Sequence, residues 1–222
     1  MWRDALLVAG KDLRIEARSR VATNQVAPFA VLVLVLFGFA LDPDRGVLAR
    51  ASAGLFWLAV LFATLLAVQR SFAVEAADRA GDGLRLSGLD PAGIFLGKAA
   101  AVAVELAALQ ALLAVGITVL YDARLGRAAL VLATSALATV GLAAAGTVYG
   151  ALAAGLKVRE TLLPLLLLPV VAPVLLGGAR AWEAALGVGL DDGWRWVQLL
   201  GVFATVYVSF GVIGFGALLE ES

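Results

Sequence analysis

The sequence has no cysteine and no histidine, and only 15% of its 222 residues are charged. Without cysteine the chain has no disulfide, no thiolate nucleophile and no iron–sulfur ligand set. Without histidine it lacks the commonest metal ligand and the side chain that most often transfers protons near neutral pH. We therefore expect no metal site, and a zinc site of the usual kind is excluded.

The sequence also lacks the motifs that mark common enzymes. No serine has a histidine to activate it, and neither an H-E-x-x-H metal motif nor a G-x-x-x-x-G-K-[ST] nucleotide-binding loop occurs. We predict no catalytic site, so any ATP hydrolysis must come from a separate subunit. Seventeen basic residues balance seventeen acidic ones, which leaves no basic excess for nucleic acid.

Long apolar stretches fill the chain instead: 62% of residues are hydrophobic and the mean hydropathy is +0.97. A membrane span needs about 20 mostly apolar residues. Six stretches fit, at about residues 23–40, 51–68, 94–120, 128–156, 161–179 and 196–219. We predict an all-α integral membrane protein of one domain, residues 1–222, with six transmembrane helices. Five further spans follow the first, which argues against a cleaved signal peptide.

Basic residues orient the predicted bundle, because Lys and Arg accumulate in cytoplasmic loops. With spans at these positions, 11 basic residues fall on the side of the two termini and 6 on the other side. We predict that both termini are cytoplasmic.

Residues 1–20 predict an amphipathic helix in the membrane interface, with Trp2 at headgroup depth and its bases toward the leaflet. An apolar stripe at helical spacing consists of Trp2, Leu6, Ala9, Leu13 and Ala17. The polar residues that we single out are Lys11, Arg14, Glu16 and Arg18. Such a helix either only orients the first span or also packs against the bundle.

The longest polar stretch follows the second span, and we predict a cytoplasmic coupling loop at residues 69–93. A connection between antiparallel helices needs only about 2–8 residues, so this length suggests a docking surface for a soluble partner; a solvated loop is the alternative. The pattern predicts a helix running out of the membrane, a glycine break and a short apolar element. The candidate docking residues are Arg70, Phe72, Glu75, Asp78, Leu84 and Leu86.

The fifth span contains Pro164, Pro169 and Pro173. Each proline removes a helical hydrogen bond, so we predict a kinked span that moves or lines a path, although prolines are also ordinary in membrane helices. After it, residues 180–195 are too short and too polar to cross. We predict an outer re-entrant or interfacial segment whose tryptophans lie at headgroup level.

Two features inside the spans are open to two interpretations. Gly146 and Gly150 form a small-xxx-small pair, which predicts close helix packing within the bundle or across a dimer. Glu105 is the only acid well inside a span. It is either a functional group or a protonated carboxyl packed between helices.

Three segments in order resemble the haem exporter protein B family, CcmB: KDLRIEARSR, QRSFAVEAADRAGDGLRLSGLDPAGIFLGKAAA and GLKVRETLLPLLLLPVVAPVLLGGARA. The resemblance covers essentially the whole chain, and its most specific pieces are R-x-F-x-x-E from Arg70 and I-F-L-G-K from Ile94. The chain departs from the family pattern at Arg79, where members usually carry glycine, and at Gly88, where they usually carry proline.

This resemblance implies a permease fold like that of type-2 ABC exporters, with an interfacial N-terminal helix and a coupling element between the second and third spans. It implies a bacterial inner-membrane subunit of the cytochrome c maturation complex. The implied partners are a CcmA-like ATPase, a CcmC-like haem-handling membrane protein, a CcmE-like haem chaperone and a second copy of the chain. ATP would act only through the ATPase subunit.

The sequence offers no strong haem-iron ligand, and only Tyr121, Tyr149 and Tyr207 remain as weaker candidates. We expect no tightly bound cofactor, with haem as a transported or partner-held substrate. Two alternatives stay open. The chain is a permease for a lipid, polysaccharide or drug, or it is a scaffold that transmits ATPase motion without translocation.

Overall fold

The computed structural model describes residues 1–19, 24, 26–40, 45–77, 88–121, 126–154, 159–189 and 192–221. Within these ranges all regular structure is helical. The helices are α1 (Trp2–Ser19), α2 (Ala27–Ala40), α3 (Arg45–Ala77), α4 (Pro91–Leu120), α5 (Ala128–Ala154), α6 (Arg159–Ala185) and α7 (Trp194–Glu221). This architecture confirms an all-α integral membrane protein.

Five helices are long and apolar enough to cross a membrane: Ala51–Phe72, Pro91–Leu120, Ala128–Ala154, Thr161–Ala185 and Trp194–Leu219. They coincide with five of the six predicted spans. The other predicted span contains α2, an apolar helix of 14 residues. At about 1.5 Å per residue, 14 residues reach about 21 Å, less than a hydrocarbon core of about 30 Å. The count of six spans therefore stays a prediction.

Helix α3 lies inside the bundle and packs against α2, α4, α5 and α6. Small residues on α5 allow one of these contacts: a Cβ at Gly146 would lie 2.6 Å from Val68 Cγ2, and a Cβ at Gly150 would overlap the Phe72 ring. The predicted close packing of Gly146 and Gly150 within the bundle is thereby confirmed.

Helix α1 packs along the first half of α4, and the two helices run in the same direction. Asp4 meets Gly93, Val8 meets Gly97, and Asp12 reaches Lys98. A Cβ at Gly97 would lie 2.6 Å from Ala5 O, so the glycines allow the backbones to approach closely.

The segment 180–195, predicted as an outer re-entrant or interfacial element, begins inside α6. Its first residues continue that helix to Ala185, and the chain then turns through Gly187, whose φ of +74° suits glycine. Of the three tryptophans expected at headgroup level, Trp194 is 46% exposed, whereas Trp182 is 1% exposed and stacks on Phe56 at 3.8 Å between ring centroids. Gly178, one turn earlier on α6, leaves room for the Trp57 ring beside it. The position of this segment in the membrane stays a prediction.

Helix α6 is assigned as helical through Pro164, Pro169 and Pro173. Pro169 and Pro173 lie on its exposed side, and Pro164 is half-buried. The two exposed prolines therefore do not face the bundle interior. The predicted kink stays a prediction.

Candidate coupling site

The ends of the predicted coupling loop lie where α1, α3 and α4 converge. Arg70 and Phe72 belong to the last turns of α3, and Glu75 lies in the same helix, where only its backbone is described. The candidates Asp78, Leu84 and Leu86 lie outside the described residues. The structure therefore places the two flanks of the loop and leaves its central docking residues as predictions.

Phe72 was predicted as a docking anchor, but the structure places it inside the bundle. Its side chain is 8% exposed. One edge of the ring meets Gly150, and the ammonium of Lys98 lies 4.7 Å from the ring centroid. Phe72 therefore fixes the end of α3 from within rather than presenting a surface to a partner.

Helix α1 has a buried side and an exposed apolar side. Ala5 and Val8 are buried against α4. Trp2 and Leu6, from the predicted apolar stripe, are 71% and 75% exposed. Helix α1 therefore packs against α4 through a side other than the apolar stripe. It does more than orient the first span. The exposed stripe remains available to lipid, as an interfacial helix requires.

The bases of α1 fall into two groups. Arg14 and Arg18 are exposed, while Lys11 is half-buried and its ammonium lies 2.9 Å from Asp12 Oδ1. The exposed pair keeps its charge in solvent, where it suits the headgroup region of a membrane.

Lys98 is a buried cation, 2% exposed, in the first half of α4. Its Nζ donates a hydrogen bond of 3.2 Å to Ser71 Oγ and lies 3.5 Å from Asp12 Oδ2. The second contact is an ion pair rather than a well-formed hydrogen bond, whose N···O distance is usually about 2.7–3.2 Å. The Lys98 side chain thus connects α4 to α3 and to α1.

A second ion pair links α1 to α3: Arg70 Nε lies 2.8 Å from Glu16 Oε2. Beside this pair is a cleft of about 20 Å³, space for about one water molecule. Glu105 lines the cleft together with Asp12, Glu16 and Arg70. Glu105 therefore lies beside the Arg70–Glu16 ion pair, and both interpretations of this acid stay predictions.

The far end of the loop is fixed to α1 as well. Asp90 caps α4 by accepting a hydrogen bond of 3.1 Å from Ala92 N, and Pro91 occupies the first turn. Asp90 N donates to Asp4 Oδ2 at 3.4 Å. The Met1 ammonium, 3.2 Å from the same oxygen, holds the pKa of Asp4 below its usual value. Helix α1 thus contacts both flanks of the loop.

We call the side chains that make these contacts or line the cleft beside them the charged junction: Asp12, Glu16, Arg70, Ser71, Lys98 and Glu105. Among the described residues no group of three or more His, Cys, Asp or Glu side chains is suited to hold a metal ion. These contacts connect α1, α3 and α4.

Sequence reasoning missed Asp12, Ser71 and Lys98 as members of this junction. One signal was present, because Lys98 and Glu105 are seven residues apart in an otherwise apolar helix and therefore share a face. Ionisable residues in such a helix are functional candidates. Nothing in the sequence singles out Ser71.

The three tyrosines considered as weak haem-iron ligands are in different situations. Tyr121 donates a hydrogen bond of 2.6 Å to Leu34 O and is buried. Tyr149 and Tyr207 are half-buried on α5 and α7, with ring centroids 6.5 Å apart. Tyr121 could bind iron only by giving up its bond to α2.

Comparison with known proteins supports one family. The CcmB protein family matches residues 3–222. The chain is 30% identical over 213 residues to heme exporter protein B of Pseudomonas aeruginosa, covering 94% of this chain and 93% of that protein. It is 31% identical over 179 residues to heme exporter protein B of Rhodobacter capsulatus, with 77% and 78% coverage. The Haemophilus influenzae protein of the same name is 27% identical over 217 residues, with 98% and 97% coverage.

Proposed function

This chain belongs to the CcmB protein family, and on that premise we propose that it is the membrane subunit of a haem export system that serves cytochrome c maturation. It is a multi-pass membrane protein and a transporter component rather than an enzyme. The shared name of the relatives supports haem as the cargo, in preference to a lipid, polysaccharide or drug. The bundle crosses the bacterial inner membrane with both termini in the cytoplasm.

The observation that carries the coupling role is that α1 holds both flanks of the loop, through Arg70 at one end and Asp90 at the other. A segment fixed at both ends can pass a displacement at its centre to the helices that hold it. A separate CcmA-like ATPase docks on this loop, so ATP acts only through that subunit.

Within the loop, Leu84 and Leu86 are the docking anchors, and Glu75 and Asp78 orient the approach to a basic rim of the ATPase. Phe72 supports this surface from inside the bundle. The complex also contains a CcmC-like haem-handling protein, a CcmE-like haem chaperone and a second copy of this chain. Haem bound firmly through its iron is held by the haem-handling protein or the haem chaperone, because this chain has neither histidine nor cysteine.

The test is purification of the complex from native membranes with a tag on this chain. We expect the wild type to bring down an ABC ATPase and haem-handling partners. The double variant Leu84→Asp with Leu86→Asp should still insert but should lose most of the ATPase, since truncating one good anchor costs about 1–3 kcal/mol.

The matched control is Leu125→Asp, the same substitution in a predicted outer connection, and it should leave the ATPase bound. If the double variant retains the ATPase at wild-type yield, the loop is not the docking element. If the wild type brings down no ATPase at all, the ABC assignment itself is wrong.

A further inference from the structure

Lys98 places a positive charge inside the bundle, among apolar side chains. It is 2% exposed, and its neighbours along the α4 face, Phe95 and Val102, are buried apolar residues. Burying an ammonium costs several kcal/mol, and the attraction of a partner repays this only when the geometry is excellent. Replacing buried ion pairs with apolar side chains of similar size is often neutral or stabilising. Stability alone is therefore a weak reason for an ammonium at this position.

The contacts of Lys98 converge near the C-terminal end of α3, within the predicted coupling loop. Ser71 and Phe72 lie in the last two turns of this helix, which ends at Ala77, and Lys98 contacts both. Its third contact, Asp12, lies on α1. One ammonium thus joins the start of the loop to α1 and α4.

We propose that Lys98 is the positioning residue of the coupling element: it fixes the exit of the loop from α3 relative to α1, so that a displacement of the loop moves all three helices together. The proposal rests on the coupling role proposed above. The compact ammonium has three donors, which suits simultaneous contact with a hydroxyl, a carboxylate and a ring face. A thioether of similar length would fill the space without making these directional contacts.

The first test compares Lys98→Met, which keeps the apolar stem, with Lys98→Arg, which keeps the charge. In the assembled complex, Lys98→Met should insert normally and co-purify with the ATPase at wild-type yield. The yield of mature cytochrome c should fall about tenfold, within the usual range of coupling between sites. Lys98→Arg should restore a substantial part of that yield, which a purely space-filling role for the side chain would not produce.

The second test observes the loop directly and needs no ATPase. The chain has no cysteine, so a spin label on Ser87→Cys is unique. Electron paramagnetic resonance of the purified protein should show greater label mobility with Lys98→Met. Asp12→Asn, which removes the counter-charge at nearly constant size, should give a smaller increase. The double variant Asp12→Asn with Lys98→Met should show little more label mobility than Lys98→Met alone, because both substitutions remove the same contact between these two side chains.

Unchanged label mobility together with wild-type maturation in Lys98→Met would overturn the inference while leaving the docking proposal intact. A Lys98→Met chain that fails to fold would overturn it too, since the ammonium would then be a determinant of stability. If wild-type membranes yield no ATPase partner, the proposed function fails, and the label measurement still decides whether Lys98 holds the loop.

Discussion

Helix α3 is held at its two ends by opposite kinds of chemistry. Toward its C-terminal end it joins the charged junction through Arg70 and Ser71. Toward its N-terminal end it joins α6 through an aromatic seam, which we define as Phe56, Trp57, Gly178 and Trp182. In the seam Phe56 stacks on Trp182 at 3.8 Å, and Trp57 packs edge-on against Trp182 at 6.2 Å.

The aromatic seam stabilises the bundle through the apolar area that its rings bury and through their close packing. Its three rings are at most 1% exposed, and aromatic pairs add about 0.5–1.5 kcal/mol beyond the area that they bury. Within the described residues neither buried indole N–H, of Trp57 or Trp182, has a hydrogen-bond partner. The seam is therefore an apolar contact that tolerates little displacement.

The charged junction differs because its contacts are directional and individually weak. Buried ion pairs return little net stability, but breaking one leaves an uncompensated charge. Close packing also holds α3 near its C-terminal end, where Phe72 meets Gly150, but only this end adds directional polar contacts whose loss leaves an uncompensated charge. That end is where the coupling loop begins.

The largest effect should come from filling the seam. A Cβ at Gly178 would lie 2.5 Å from Trp57 Cε2, so Gly178→Leu forces the rings apart. Overpacking costs about 1–3 kcal/mol, and we expect the melting temperature in detergent to fall by roughly 2–12 °C. Gly54→Leu is the control, because a Cβ at this exposed position on α3 meets nothing within 4 Å. An equal fall in melting temperature in both variants would show that the aromatic seam is not packed more tightly than the exposed side of α3.

Sequence reasoning located the helices well because their signals are local. Apolar runs mark the spans, and Asp90-Pro91 is a start signal that the structure realises as the cap and first turn of α4. The start of α5 at Ala128 was predicted to the residue, and α7 begins two residues before the predicted Trp196.

The contacts between helices were less predictable because their causes are distant in sequence. Phe72 lies inside the bundle because Gly150, on another helix, leaves room for its ring. The position of Trp182 near the end of a span does not reveal that it packs inside the bundle, where Trp57 contacts it beside Gly178. Composition tells how apolar a helix is but not which neighbour covers each side.

A smaller effect should follow from weakening the charged junction. Arg70 and Glu16 are 27% and 12% exposed and 2.8 Å apart. We expect a double-mutant cycle of Glu16→Gln and Arg70→Gln to give a coupling energy of about 0.5–1 kcal/mol, measured by thermal unfolding in detergent. Arg14→Gln, at an exposed position on α1, is the control and should change nothing measurable. Strictly additive single effects would show that the pair does not link α1 to α3.

The smallest effect should come from an exposed ion pair on α6, the helix that contributes Gly178 and Trp182 to the aromatic seam. Arg180 Nη1 lies 3.0 Å from Glu183 Oε2, and the two side chains are 55% and 25% exposed. Pairs of this kind within one helix contribute about 0.2–0.5 kcal/mol, so Arg180→Ala should lower the melting temperature by about 2 °C at most. Repeating the thermal unfolding in high salt should abolish this difference in melting temperature, because salt screens the interaction between exposed charges. The Arg180–Glu183 distance is only 0.2 Å longer than the 2.8 Å between Arg70 and Glu16, but it joins residues one turn apart in α6. Comparing the two pairs therefore separates the effect of burial between helices from that of distance between charges. If Arg180→Ala costs as much as Arg70→Gln, proximity alone sets the strength of these pairs, and the charged junction loses its distinction from the rest of the surface.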